Sequence, residues 1–195
     1  MSLSAPQPLD ARHRLEEFDC GKPALTEWLL RHARQAQGSG SARTFVVCDA
    51  DRVAGYYSLT VGQIDTLEAP ERVRRGMGQY PIPLIILARL AVALDYQRRG
   101  LGFSLLQDAI RRVIAVAEHA GIRALLTHPI DAGAEAAAFY RCFGFEPIPE
   151  NERQLILLLK DARRFAGTPQ RNQAGDGDGT SVWQQSKQWI RARCA

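Results

Sequence analysis

The sequence is nearly without lysine: of its 25 Lys+Arg residues only Lys22, Lys160 and Lys187 are lysine, and the rest are arginine. Arginine's planar fork suits bidentate contact with phosphate, so an anionic partner is permitted. The net charge of +4 decides nothing by itself. Cysteine is also sparse. Cys20, Cys48, Cys142 and Cys194 stand far apart, with no C-x-x-C pair and no histidine at ligand spacing. Neither a metal site nor a disulfide framework is indicated. No apolar run approaches the roughly 18 residues that a membrane-spanning helix needs. Residues 1–10 also lack a basic stretch followed by an apolar one, so a soluble cytoplasmic protein with no membrane association is expected.

What is present suits one ordinary core. The chain has 195 residues, 46% of them hydrophobic, which predicts a single domain plus tails. After an extended start and a turn at Phe18-Asp19-Cys20-Gly21, apolar residues at helical spacing predict an amphipathic helix from Pro23 to Gln37. β-Branched and aromatic runs over 44–48 and 53–61, around the polar turn Asp49-Ala50-Asp51-Arg52, predict a hairpin. Residues 66–81, rich in Gly, Pro and Arg, predict a surface loop. The apolar run 83–94, interrupted by Arg89, predicts a central buried strand.

Residues 100–119 carry a 3.6-residue apolar stripe and predict the longest helix. A short strand over 122–127, an Ala-rich helix over 132–142 and a last strand over 154–159 follow. Residues 1–165 are thus expected to form the folded domain. The polar stretch 166–180 reads as a linker. Beyond it, Val182, Trp183, Ser186, Trp189 and Ile190 would share one face of a short amphipathic helix.

The strongest local signal is where the central strand runs through Gln97-Arg98-Arg99-Gly100-Leu101-Gly102 into the long helix. Glycine allows close backbone approach to an anion, and the free N–H groups and positive dipole end of a helix favour a pyrophosphate. The turn is not a Walker loop, because the Gly-Lys-Ser/Thr ending is absent. It is not the dinucleotide fingerprint either, because the third glycine is missing and the strand lies mid-chain. A different phosphate ligand is required.

These residues resemble the GNAT N-acetyltransferase superfamily, whose signature is Arg/Gln-x-x-Gly-x-Gly/Ala: Gln97, Gly100 and Gly102 match it. A second match lies about 40 residues on, where Ala138-Phe139-Tyr140-Arg141-Cys142-Phe143-Gly144-Phe145 looks like the family's helix-borne Phe-Tyr segment. Within the superfamily the chain is similar, over residues 8–160, to toxins of toxin–antitoxin modules that acetylate aminoacyl-tRNA. The features shared with them are Phe18-Asp19-Cys20-Gly21 with Leu25-Thr26-Glu27-Trp28-Leu29, Gly55-Tyr56-Tyr57-Ser58-Leu59, and Ile82-Pro83 with Leu87-Ala88-Arg89-Leu90-Ala91-Val92. Phe103 and Thr127-His128-Pro129 depart from the family pattern.

The resemblance implies the α/β (α+β) GNAT acyl-CoA N-acyltransferase fold, a central mixed sheet flanked by helices, with acetyl-CoA as cofactor. It implies that the backbone of Leu90, Ala91 and Val92 pairs with pantetheine. Gln97, Arg98, Arg99, Gly100, Leu101, Gly102, Phe103 and Ser104 would then hold the pyrophosphate. Tyr140, protonated at neutral pH, would give a proton to the departing thiolate; packing among aromatics is its other reading. No general base is assigned, His128, Asp131 and Glu135 being near only in sequence. Arg72, Arg74, Arg75 and Arg89 would bind RNA phosphates, or be solvated or, for Arg89, ion-paired. Partners implied are aminoacyl-tRNA and a ribbon-helix-helix antitoxin, with a homodimer left open. Acetylation of a small-molecule amine or a protein amino group, and non-catalytic acyl-CoA binding, remain as alternative functions.

Overall fold

The computed structural model describes residues 3–129, 134–149 and 151–165, so the tail beyond 165, with its expected linker and helix, lies outside the described residues. The elements in chain order are β1 (Gln7–Pro8), α1 (Pro23–Arg31), α2 (Ala33–Ser39), β2 (Arg43–Asp49), β3 (Arg52–Ile64) and α3 (Glu71–Arg74), followed by β4 (Ile82–Val92) and a 3-10 turn (Leu94–Tyr96). Then come α4 (Leu101–Ala117), β5 (Ala124–Thr127), α5 (Ala134–Arg141), β6 (Glu146–Ile148), β7 (Asn151–Leu158) and α6 (Leu159–Ala162). The strands form a seven-stranded mixed sheet in the order β1-β2-β3-β4-β5-β7-β6. The β2–β3, β5–β7 and β6–β7 pairs are antiparallel and β4–β5 is parallel.

Two compact units share these elements. Among the described residues the first holds 3–59 and 89–108, and the second the remainder. In the first, consecutive tyrosines on β3 are fully buried and both satisfy their hydroxyls. Tyr56 donates to the Leu25 carbonyl at 2.7 Å and stacks on Trp28, while Tyr57 donates to Asp108 and stacks on Phe45. Buried Leu101, Leu105 and Leu106 of α4 complete this core. In the second unit, Ile82 and Leu84 of β4 pack with Ala124, Leu126, Ile148 and Ile156 of the neighbouring strands, and Val73 closes the cluster.

The hairpin, the long helix and the central strand fall where expected, and the differences have local causes. The predicted helix of 23–37 is two helices, because His32 sits at φ −119° and opens the backbone between them. The predicted loop of 66–81 contains one helical turn, α3. Pro70 accepts from the backbone N–H of Val73 at 2.8 Å and of Arg74 at 3.1 Å, and the side chain of Val73 is buried. Four residues are too few for periodicity to register. The last strand is preceded by β6, whose Pro147 reads as a breaker; β6 lies at the end of the strand order, where a missing N–H is tolerated.

Candidate active site

The expected cofactor turn belongs to the first unit. The β4–β5 ladder runs from Leu84 opposite Ala124 to Leu87 opposite Thr127, and β4 continues past it through Leu90, Ala91 and Val92. The chain then turns at Leu94–Tyr96, where the Tyr96 hydroxyl donates to Asp49 at 3.0 Å. Burial, followed by that hydrogen bond, raises the Tyr96 pKa. Gln97 spends both hydrogens of its amide nitrogen on main-chain carbonyls, Cys20 at 3.0 Å and Val92 at 2.9 Å. Its visible contribution is to hold the turn closed. Arg98 and Gly100 both take positive φ, 58° and 88°, a conformation that costs a non-glycine residue about 1 kcal/mol or more. Such a winding of the backbone turns successive N–H groups toward one concavity that suits an anion.

Helix α4 starts directly after it. The N–H of Ser104 bonds the Gly100 carbonyl at 3.2 Å, and the leading N–H groups of an α-helix lie at its positive end, where an anion is favoured. Arg98 and Arg99 are exposed, whereas Leu101 is buried and anchors the helix head. Gly55 on β3 explains how closely the helix packs. A Cβ built there would lie 3.0 Å from Leu105 Cδ1, 3.3 Å from Leu101 Cδ2 and 3.2 Å from the Ala91 carbonyl oxygen. The chemistry fits a coenzyme pyrophosphate: backbone donors at a helix head, two flanking guanidiniums, and no side-chain carboxylate between Gln97 and Gln107.

Arg89 lies in the same unit. Its guanidinium sits 4.3 Å from the Trp28 ring centroid, and its Nε, buried, has no hydrogen-bond partner. Among the described residues no carboxylate pairs with it, so stacking on Trp28 takes the place of the expected alternative of an ion pair inside the sheet. Burial lowers its pKa, and Tyr56 nearby opposes the shift.

Tyr140 belongs to the second unit. It sits on α5 with edge-to-face contacts to Phe139 at 5.0 Å and Phe145 at 5.4 Å, and is 7% exposed. Burial pushes its phenol up to about 12, and a hydrogen bond with Thr127 works against that rise. Thr127 was not singled out by sequence as a site residue. Neither was its bond from Oγ1 to the Leu87 carbonyl, 3.0 Å long. Of the candidate bases, His128 is exposed with a pKa lowered by desolvation, Glu135 is exposed, and Asp131 lies outside the described residues.

The arginines of α3 and its end are not equivalent. Arg72 forms ion pairs with Glu146 and, at 2.6 Å, with Asp161, and Arg75 pairs with Glu71 at 2.9 Å. Glu71 is held below its ordinary pKa first by the Arg75 hydrogen bond and charge, with Arg74 adding to the effect. Arg72 and Arg75 would have to leave carboxylates to reach a phosphate. Among the described residues no group of three or more His, Cys, Asp or Glu side chains is placed to hold a metal, and no helix is long and apolar enough to cross a membrane.

Comparison with known proteins bears on this arrangement. A family model described as an acetyltransferase (GNAT) domain matches residues 40–147. The chain is 42% identical over 164 residues to a tRNA-acetylating toxin of Mycobacterium tuberculosis, covering 84% of this chain and 97% of that one. Among solved structures it is similar to AtaT complexed with acetyl-methionyl-tRNAfMet, with 27% identity and a TM-score of 0.76 over 84% of this chain and 98% of that one. It is also similar to a tyrosine-to-phenylalanine mutant of AtaT bound to acetyl-CoA and to the C-terminus of the antitoxin AtaR. There the identity is 26% and the TM-score 0.71, over 86% of this chain and 100% of that one.

Proposed function

The chain belongs to the GNAT acetyltransferase family, and from that premise we propose that it is an acetyl-CoA-dependent toxin that acetylates the amino group of aminoacyl-tRNA and so blocks translation. The observation that carries this reading is the near-full-length likeness to a tRNA-acetylating toxin. An N-acetylated aminoacyl-tRNA has no free amine with which to accept a growing peptide. An antitoxin partner belongs to the same reading, as AtaT has one in AtaR, and a ribbon-helix-helix protein is its proposed form.

Acetyl-CoA supplies the activated acetyl thioester. In this reading the backbone donors from Arg98 to Phe103, with Ser104 and the Arg98 and Arg99 guanidiniums, bind the pyrophosphate, and Gln97 keeps the turn shaped for it. The main chain of Leu90, Ala91 and Val92, past the end of the β4–β5 ladder, offers strand-like hydrogen bonds to pantetheine. The neutral amine would attack the thioester, the nitrogen of the adduct would pass its extra proton to water, and Tyr140 would protonate the departing sulfur and be reprotonated by water. Arg74 and Arg89 are the proposed contacts to RNA, together with Arg72 and Arg75 once their carboxylates are exchanged for phosphates.

Labelled acetyl-CoA incubated with the protein and a panel of charged tRNAs is expected to yield RNA-borne label that base hydrolysis releases as N-acetylamino acid. Label on polyamines or peptides, with none on tRNA, would refute the assignment. A pH dependence follows as well. Because burial holds the Tyr140 phenol near 12, its acid form persists across the working range. Single-turnover transfer should rise as the amine deprotonates and then stay level to about pH 9.5. A descending limb below that pH contradicts the role of Tyr140.

A further inference from the structure

The β2–β3 hairpin closes through Asp49-Ala50-Asp51-Arg52, and two of these side chains reach the 3-10 turn that leads into Gln97-Arg98-Arg99-Gly100. The Tyr96 hydroxyl donates to Asp49 Oδ2 at 3.0 Å, and Arg52 donates to Asp95 Oδ2 at 3.1 Å. Both contacts lie within one compact unit. The main chain of this turn is tied separately, by the N–H of Ala93 to the Ala54 carbonyl, that of Leu94 to the Asp19 carbonyl, each at 2.9 Å, and by the Gln97 amide. What the Asp49 bond adds is a fixed place for the Tyr96 ring.

Arg99 lies over that ring. Its guanidinium carbon is 5.9 Å from the ring centroid, inside the roughly 6 Å within which an aromatic face attracts a cation. A phenol that donates to a carboxylate keeps more electron density in its ring and holds a cation more firmly. Among the described residues Arg99 pairs with no carboxylate, and Arg98 beside it lies over no ring. Arg99 is exposed, and fixing an exposed arginine on a ligand costs conformational entropy unless something places it beforehand.

We propose that Asp49 and Tyr96 are positioning residues for the cofactor: the hairpin holds the ring, and the ring holds the Arg99 guanidinium ready for the pyrophosphate of acetyl-CoA. This rests on the reading of residues 98–104 as the pyrophosphate site. Arg52 serves the same end. It matches Asp95, the carboxylate nearest that site in sequence, with a cation, so that Asp95 repels an incoming anion less.

Two acetyl donors separate positioning from packing: acetyl-CoA, and S-acetylpantetheine, which has the thioester but no pyrophosphate. Calorimetric titration gives the Kd of acetyl-CoA whatever the acceptor, and transfer to charged tRNA gives kcat and KM with each donor. Tyr96→Leu should raise the Kd and KM of acetyl-CoA about fivefold, with kcat at saturation and kcat/KM for S-acetylpantetheine both kept within about twofold. Asp49→Ala should raise the Kd about threefold, and Asp49→Asn, which still accepts from the phenol, should restore most of the affinity. In an Arg99→Ala background, itself weakened toward acetyl-CoA, Tyr96→Leu should have no further effect. Undiminished affinity in Tyr96→Leu, an equal loss with both donors, or a loss that adds to that of Arg99→Ala would each overturn the positioning role. If Arg99→Ala alone binds acetyl-CoA as tightly as the unsubstituted protein, the reading of Arg99 as a pyrophosphate contact is wrong, and the positioning role falls with it. Should Tyr96→Leu not fold, Asp49→Ala, which keeps the ring and changes a half-buried residue at the hairpin end, carries the same comparison.

Discussion

Replacing Tyr140 by phenylalanine is expected to lower kcat for acetyl transfer by at least about 100-fold while leaving acetyl-CoA binding within a factor of about two. The substitution keeps the ring that packs between Phe139 and Phe145 and removes only the hydroxyl. The proposed cofactor turn is held by other bonds, those from Gln97 to the Cys20 and Val92 carbonyls. The loss should therefore fall on the chemical step. Stability should drop by only about 1 kcal/mol, the worth of one buried hydrogen bond. Rapid-quench measurement of transfer, with calorimetric titration of acetyl-CoA beside it, separates the two quantities. Undiminished turnover would return Tyr140 to a packing role.

The second large effect is expected at Gly55, through packing alone. Gly55→Val places a branched side chain where even a Cβ meets Leu105, Leu101 and the Ala91 carbonyl at 3.0 to 3.3 Å. The leucines can rotate, but the carbonyl belongs to the β4 backbone and cannot move without disturbing the strand. Overpacking of this kind costs about 2–3 kcal/mol, or a fall in Tm of roughly 5–10 °C for a chain of this size. Relief comes most readily by lifting the head of α4, which carries the proposed pyrophosphate donors. The KM for acetyl-CoA should therefore rise about 10-fold or more in the protein that remains folded. A destabilised variant with unchanged KM would place the pyrophosphate elsewhere.

Periodic signals survived into the structure and contacts between distant residues did not announce themselves. The stripe over 100–119 and the apolar run over 83–94 became α4 and β4 because each buries a long continuous face. The one-turn helix α3 and the Pro147 strand β6 escaped, the first too short for a pattern and the second carrying a residue that argues against a strand. The glycine turn and Tyr140 were visible because each stands in a contiguous motif. The bond from Thr127 to Leu87 joins residues 40 apart and that from Gln97 to Cys20 joins residues 77 apart, and no local pattern marks either. The arginines from 72 to 75 read as an exposed basic cluster for the same reason. The carboxylates that engage Arg72 come from 74 and 89 residues further along.

Those ion pairs bear on how the enzyme responds to ionic strength. A guanidinium already matched by carboxylates projects little field beyond a Debye length of about 8 Å in physiological salt. Long-range capture of a polyanion gains correspondingly little from Arg72 and Arg75. If RNA does engage them, it does so by exchanging one anion for another at contact distance. Adding salt then weakens the internal pairs and the RNA contacts together, and the two effects partly cancel. Residues 72–75 would thus contribute less counterion release than their arginine count suggests.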